Sequence, residues 1–126
     1  MTKRQNIASG GPFESTFGYS RAVRVGDHVH VAGTCAQPPH TTGDAHEQST
    51  AALDIIGKAL EEAGTSFKDV VRTVVYVTDM ADMDAVARAH SAVFGEIRPA
   101  STLVQVGALG RPELVVEIEA YAILGG

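Results

Sequence analysis

Residues 114–123 read "LVVEIEAYAI". Val116, Ile118, Ala120 and Ala122 are apolar, and Glu117, Glu119 and Tyr121 alternate with them. A period of two marks a strand with one dry face and one polar face. The small apolar side chains suit packing beneath helices. The two carboxylates cannot face a dry core unpaired. Their face is therefore expected to meet water, another subunit or a ligand.

The rest of the chain supplies the helices. "VVRTVVYV", residues 70–77, is a β-branched run that fits a central strand. Before it, Asp44 with Glu47 three residues later has the form of a capping box. Ala52, Leu53, Ile56, Leu60 and Ala63 follow at helical spacing, and Gly64 closes the helix. After it, Asp79 is expected to cap a second helix with Met83, Val86, Ala87, His90, Val93 and Ile97 along one face. Residues 18–25, "GYSRAVRV", place Tyr19, Arg21, Val23 and Val25 on one strand face. Gly26-Asp27 then turns the chain into "HVHVAG" as a hairpin. The first sixteen residues read as a loosely held arm with room for a short strand. Strands are expected at about 101–107 and 114–123. The order β-β-α-β-α-β-β, with its ends paired as hairpins, indicates an α+β domain with a mixed sheet and two helices on one face.

The totals agree with one domain spanning residues 1–126. Apolar residues make up 44% of the 126, and the formal net charge is −5 with no Lys/Arg stripe. A nucleic-acid partner is not expected from that balance. One cysteine, Cys35, excludes an internal disulfide. The N-terminus "MTKRQNIASGGPFES" lacks the apolar run of a secretory signal, and no stretch approaches the ~20 apolar residues of a membrane span. A cytoplasmic protein without a membrane partner is the expectation.

Several residues invite chemistry. Glu117 reads as a general acid/base that activates water, or as a strand carboxylate paired with Arg72 or Arg21 across the sheet. Tyr19 reads as a pocket wall or a structural tyrosine. Cys35 follows a strand end, where a nucleophile would need a base or cation beside it, and a buried inert thiol is the alternative. Thr34 reads as a ligand donor or a loop cap. His28 and His30 share a strand face but lack a third ligand at sensible spacing, so no metal site is assigned. His90 reads as a hydrogen-bonded core histidine. "GALG", residues 107–110, is no phosphate loop.

The stretches "GYSRAVRVGDHVHVAG", "ALEEAGTSFKDVVRTVVYVTDMADM", "RPAS" and "VEIEAYAI" cover nearly the whole chain in order. In these stretches the chain resembles the YjgF/Rid family (reactive intermediate deaminases, also labelled endoribonuclease L-PSP). The resemblance implies a chorismate-mutase-like fold and a homotrimer whose sheets form a barrel, with a small-molecule cleft at each interface. It implies hydrolysis of a 2-imino acid or enamine to a 2-keto acid and ammonia, with no metal or organic cofactor. Glu117 matches the glutamate that holds the hydrolytic water, and Tyr19 the cleft tyrosine. Gly33 matches the glycine ending the second strand, which places Thr34 and Cys35 near the cleft. The deaminating members carry an arginine directly after "PA", a bidentate clamp for the substrate carboxylate. Here Ser101 stands at that position. Leu103 stands where they have a cysteine that helps bind the ligand through its backbone, and Ala87 where they have a helix asparagine. Arg21 or Arg72 would restore the lost charge if either points into the cleft. Three functions follow: a hydrolase acting on C=N bonds, a non-catalytic metabolite-binding trimer, and an endoribonuclease, which the acidic balance disfavours.

Overall fold

In the computed structural model, which describes residues 3–126, six strands and two long helices alternate. They are β1 (Arg4–Ile7), β2 (Ala22–Val25), β3 (His28–Thr34), α1 (Ala45–Glu62), β4 (Val70–Val77), α2 (Met83–Phe94), β5 (Ala100–Gln105) and β6 (Val116–Ile123). The strands form one mixed sheet in the order β1-β2-β3-β6-β4-β5. Only β4 and β5 run parallel, joined through α2. The fold is α+β with both helices packed on one sheet face.

The first hairpin is present: β2 and β3 pair from Val25↔His28 around Gly26-Asp27, with Gly26 at φ 61. The expected second hairpin is not. β6 crosses over and slots between β3 and β4, antiparallel to both, while β5 stays at the sheet edge. The ten residues between β5 and β6 are long enough for this crossing, whereas a hairpin needs only two to five. The N-terminal arm contributes edge strand β1, which buries Ile7. The strand expected from residue 18 begins only at Ala22, because Glu14–Gly18 coil into a π-helical turn.

The two faces of β6 are as its alternation requires. Val116, Ile118, Ala120 and Ala122 are buried beneath the helices, against Leu53, Ile56 and Leu60 of α1 and Val86 and Phe94 of α2. The α2 stripe is rotated from the expected one. Asp79 caps a short 3-10 turn, Met80–Asp82, by accepting from Ala81 N at 2.9 Å, and the helix proper starts at Met83. Within the helix, Met83 and Ala87 are exposed, while Val86, Ala89 and Phe94 are buried.

α1 begins and ends as its sequence demands. Asp44 accepts from Glu47 N at 2.9 Å. The Glu47 carboxylate turns to His40 Nδ1 at 3.1 Å, so only half of the capping box forms. At the other end Thr65 N donates to Leu60 O and Gly64 N to Glu61 O, with Gly64 at φ 88. This is a Schellman closure, which favours glycine in the left-handed position.

Gln48, in the first turns of α1, was not singled out by pattern. Its side chain is buried, and its Nε2 donates toward the carbonyls of Thr41, Gly43 and Glu113 at 2.9–3.1 Å. Its Oε1 accepts from Val115 N at 3.0 Å. One amide thus fixes the chain just before β6, where Glu117 emerges. Among the described residues no helix is long and apolar enough to cross a membrane. Gln48→Leu keeps the volume but strands buried backbone groups. It should cost about 2 kcal/mol or more, read as a lower urea midpoint at unchanged m-value.

Candidate functional site

Three segments converge on one side of the sheet: the turn into β2, the end of β3 and the start of β6. β3 carries a bulge between Val31 and Thr34, where three residue steps oppose two in β6. A bulge re-aims side chains locally. Here it brings Gly33 beneath Glu117. A Cβ on Gly33 would lie 2.9 Å from the Glu117 Cδ, so the carboxylate occupies the space a side chain would take.

Around that carboxylate is a cavity of about 150 Å³ whose lining includes Phe13, Tyr19, Arg21, Cys35, Arg111 and Glu117. Glu117 has no ion-pair partner among the described residues. Its Oε1 accepts from the Cys35 thiol at 3.3 Å. Burial of Cys35, together with the charge and hydrogen bond of Glu117, pushes the thiol up to about 12, against a smaller opposing pull from Arg21. Cys35 is therefore a protonated donor to Glu117, not a nucleophile.

Arg21 is the buried cation of the site, 6% exposed. Its Nη1 donates to Gly33 O at 2.8 Å and Thr34 Oγ1 at 3.0 Å, its Nη2 to Tyr19 Oη at 2.9 Å, and its Nε to Ser9 Oγ at 3.3 Å. Its Cζ lies 5.3 Å from the centroid of the Tyr19 ring. Ser9 in turn donates to Glu14, whose carboxylate also takes Gly11 N at 2.9 Å. Burial alone would raise the Glu14 carboxyl. The hydrogen bonds from Ser9 and Gly11 and the Arg21 charge outweigh that and hold it below its ordinary range. Arg21, Cys35 and Gln37 also border a second groove of about 320 Å³ on the α1 side, beside Lys58 and Glu62.

Of the residues expected at the site, Tyr19, Cys35 and Glu117 line the cavity, with Thr34 behind them. Thr34 is buried, donates to Ala32 O at 2.7 Å and accepts from Arg21, which fits its loop-cap reading and leaves its hydroxyl engaged within the chain. Ser101 and Leu103 are not brought to Glu117 within one chain. In β5 they point to the helix face: Thr73 Oγ1 donates to Ser101 Oγ at 2.7 Å, and Leu103 packs on the core. Thr73 also bonds His90 Nε2 at 2.9 Å, and desolvation lowers the His90 pKa, as suits a core histidine. Arg72 lies elsewhere, in a hollow of the outer face with His30, Glu119 and Tyr121. Its paired reading with Glu117 is therefore replaced by a contact with Thr102. His28 and His30 stack on the Tyr121 ring, with His28 Nδ1 bonded to its hydroxyl.

The protonated state of Cys35 is directly testable. In the folded chain iodoacetamide should label Cys35 at pH 8 at least ~100-fold more slowly than in the unfolded chain, because only the thiolate reacts. Glu117→Gln removes the negative charge that raises the thiol. The labelling rate of that variant, followed by mass spectrometry, should rise severalfold. An unchanged rate would mean that the carboxylate does not control the thiol.

Comparison with known proteins identifies the family and the fold. Residues 12–124 match the family model described as endoribonuclease L-PSP. A crystal structure of a YjgF-family member from Mycobacterium tuberculosis superposes with a TM-score of 0.90 at 46% identity, covering 96% of this chain and 99% of that one. An uncharacterized protein of Streptomyces coelicolor is 41% identical over 122 residues, 93% of this chain and 91% of its own. The 2-iminobutanoate/2-iminopropanoate deaminase of Mus musculus is 35% identical over 111 residues, 85% of this chain and 82% of its own. With nearly its whole length matched and its fold superposing on such a neighbour, this chain belongs to the endoribonuclease L-PSP family, the YjgF/Rid proteins.

Proposed function

We propose that the chain hydrolyses a small imine or enamine in a cleft completed by neighbouring copies in a homotrimer, with Glu117 positioning the water. The observation that carries this is the unpaired Glu117 carboxylate. It is anchored on one oxygen by the Cys35 thiol and seated over Gly33, which leaves the other oxygen to accept from water. The deaminase name of the mouse relative supports the reaction class.

In the reaction, the water oxygen bonds to the C=N carbon as Glu117 takes its proton. The carbon–nitrogen double bond becomes a single bond as Glu117 passes that proton to the nitrogen, which gives a carbinolamine. Glu117 then takes the carbinolamine hydroxyl proton and delivers it to the nitrogen as the C–N bond breaks, which forms the carbonyl and releases ammonia. Every step is a proton transfer or a hydrolytic bond change.

The need for a second copy follows from Ser101 and Leu103. Both lie at the β5 edge facing α2, away from Glu117 in the same chain. If they belong to the cleft, a neighbour must present them. A second reading, a non-catalytic metabolite-binding trimer, is favoured by the Ser101 hydroxyl, which is engaged by Thr73 and carries no charge for a substrate. A ligand that raises the melting temperature without turnover would identify that case.

The test is ammonia release from 2-imino acids generated in situ by an amino-acid oxidase. The chain should accelerate release, and Glu117→Gln should slow it by roughly 10²-fold or more. Gly33→Ala should also slow it, by displacing the carboxylate, while changing stability by less than about 1 kcal/mol, since only a flexible side-chain end must move. Imines that decay no faster with the protein than without it would overturn the catalytic reading.

A further inference from the structure

Ser101, Thr73 and His90 form a hydrogen-bonded row that the reaction above does not use. We propose that this row is an acyl-transfer site: Ser101 is a nucleophile toward small activated esters, and Thr73 relays its proton to His90. The row lies within one chain, on the sheet face opposite Glu117, so the inference goes beyond the imine reading and needs no part of it.

The row is assembled from β4, β5 and α2. β4 and β5 run parallel with Thr73 opposite Ser101, and their hydroxyls meet at 2.7 Å. His90 of α2 brings Nε2 to 2.9 Å from Thr73 Oγ1. Thr73 is buried, His90 half-buried and Ser101 exposed. The row therefore runs from the open edge of the sheet to a ring nitrogen screened from water.

A hydroxyl both donates and accepts, so the row carries protons in either direction. With the imidazole proton on Nε2, Thr73 donates to Ser101. With that proton on Nδ1, both hydroxyls turn: Ser101 donates to Thr73, and Thr73 to Nε2. The second arrangement is that of an activated nucleophile. Burial lowers the His90 pKa, and no carboxylate lies within ion-pair distance of it among the described residues. The ring is thus neutral at neutral pH and free to accept a proton.

In the step, Ser101 Oγ bonds to the ester carbonyl carbon while its proton passes to Thr73 Oγ1 and the Thr73 proton to His90 Nε2. The carbonyl electron pair moves onto oxygen. Its return re-forms the C=O bond and breaks the ester C–O bond, so the aryl oxide leaves with the bonding pair and the imidazolium sheds its proton to solvent. A donor for the oxyanion is also present. Val106 N donates to Val77 O, and amides two apart along a strand point the same way, so the Ser101 N–H turns to the open edge of β5, where no strand pairs with it. A nucleophilic serine's own N–H serves this purpose in serine proteases.

The experiment treats the full chain with p-nitrophenyl acetate and maps the acetyl group by peptide mass spectrometry. Ser91, exposed and next to His90 in sequence but not bonded to it, is the internal reference. Ser101 should acetylate about 10²-fold faster than Ser91, at a rate that rises with pH through a step below the ordinary histidine range. His90→Gln keeps a polar partner for Thr73 but no base. It should slow Ser101 about tenfold or more and abolish that step. Thr73→Val should act alike by cutting the relay. Acetylation of Ser101 no faster than of Ser91 overturns the proposal, and so does a rate and pH profile that survive His90→Gln. Should Thr73→Val not fold, His90→Gln and the pH profile decide. A chain that releases ammonia from imines but leaves Ser101 unacetylated sinks this inference alone.

Discussion

Strand β6 is hydrogen-bonded on both edges, to β3 and to β4, and that constraint governs everything around it. A central strand cannot slip its register by one residue without turning its apolar set out of the core. With Val116, Ile118, Ala120 and Ala122 locked beneath the helices, Glu117, Glu119 and Tyr121 are obliged to stand on the other face. The carboxylate of Glu117 is thus set by packing on the far side of its own strand. Gln48 adds the longitudinal restraint, tying the start of α1 to the backbone just before β6.

The site then forms where local irregularity interrupts this regular frame. The β3 bulge opens room over Gly33 for the Glu117 side chain, and the turn before β2 tucks Arg21 inward in place of a strand residue. Arg21 links the pieces: Tyr19, Gly33, Thr34 and Ser9 all accept from it. Cys35 and Glu117 share a proton's hydrogen bond beside it. The thiol is kept neutral by burial and by the carboxylate, so the charge available for chemistry in this cavity belongs to Glu117 and the arginines.

Periodicity made the regular parts legible. The alternation in 114–123, the β-branched run 70–77 and the capped helix ending at Gly64 all appear where the spacing puts them. Strand order was not legible, because a sheet neighbour is chosen by long-range pairing, and nothing local in β6 says that it enters between β3 and β4. The α2 stripe was misphased because packing on the sheet, not the apolar spacing alone, selects the buried face: Val86, Ala89 and Phe94 turn in and leave Met83 and Ala87 exposed. At the site, Glu117, Tyr19 and Cys35 were readable from position along strands and from family resemblance. Thr34 had two readings, ligand donor or loop cap, and its bonds to Ala32 O and Arg21 could not be read from sequence, since a hydroxyl's partner depends on which way a bulge turns it. Arg21 was weighed as a partner of Glu117 or as a replacement clamp in the cleft, not as the hub that its bonds to Ser9, Tyr19, Gly33 and Thr34 make it, and Arg111 and Phe13 carried no pattern at all. Ser101 and Leu103 fit the reading only if the cleft spans two copies, because one chain holds them on the face opposite Glu117.

That dependence makes oligomeric state the most direct test of the account. Light scattering of the purified chain at micromolar concentration should report a particle of three chains, stable to dilution. A monomer under those conditions would contradict the account, because Ser101 and Leu103 of β5 could then never face Glu117.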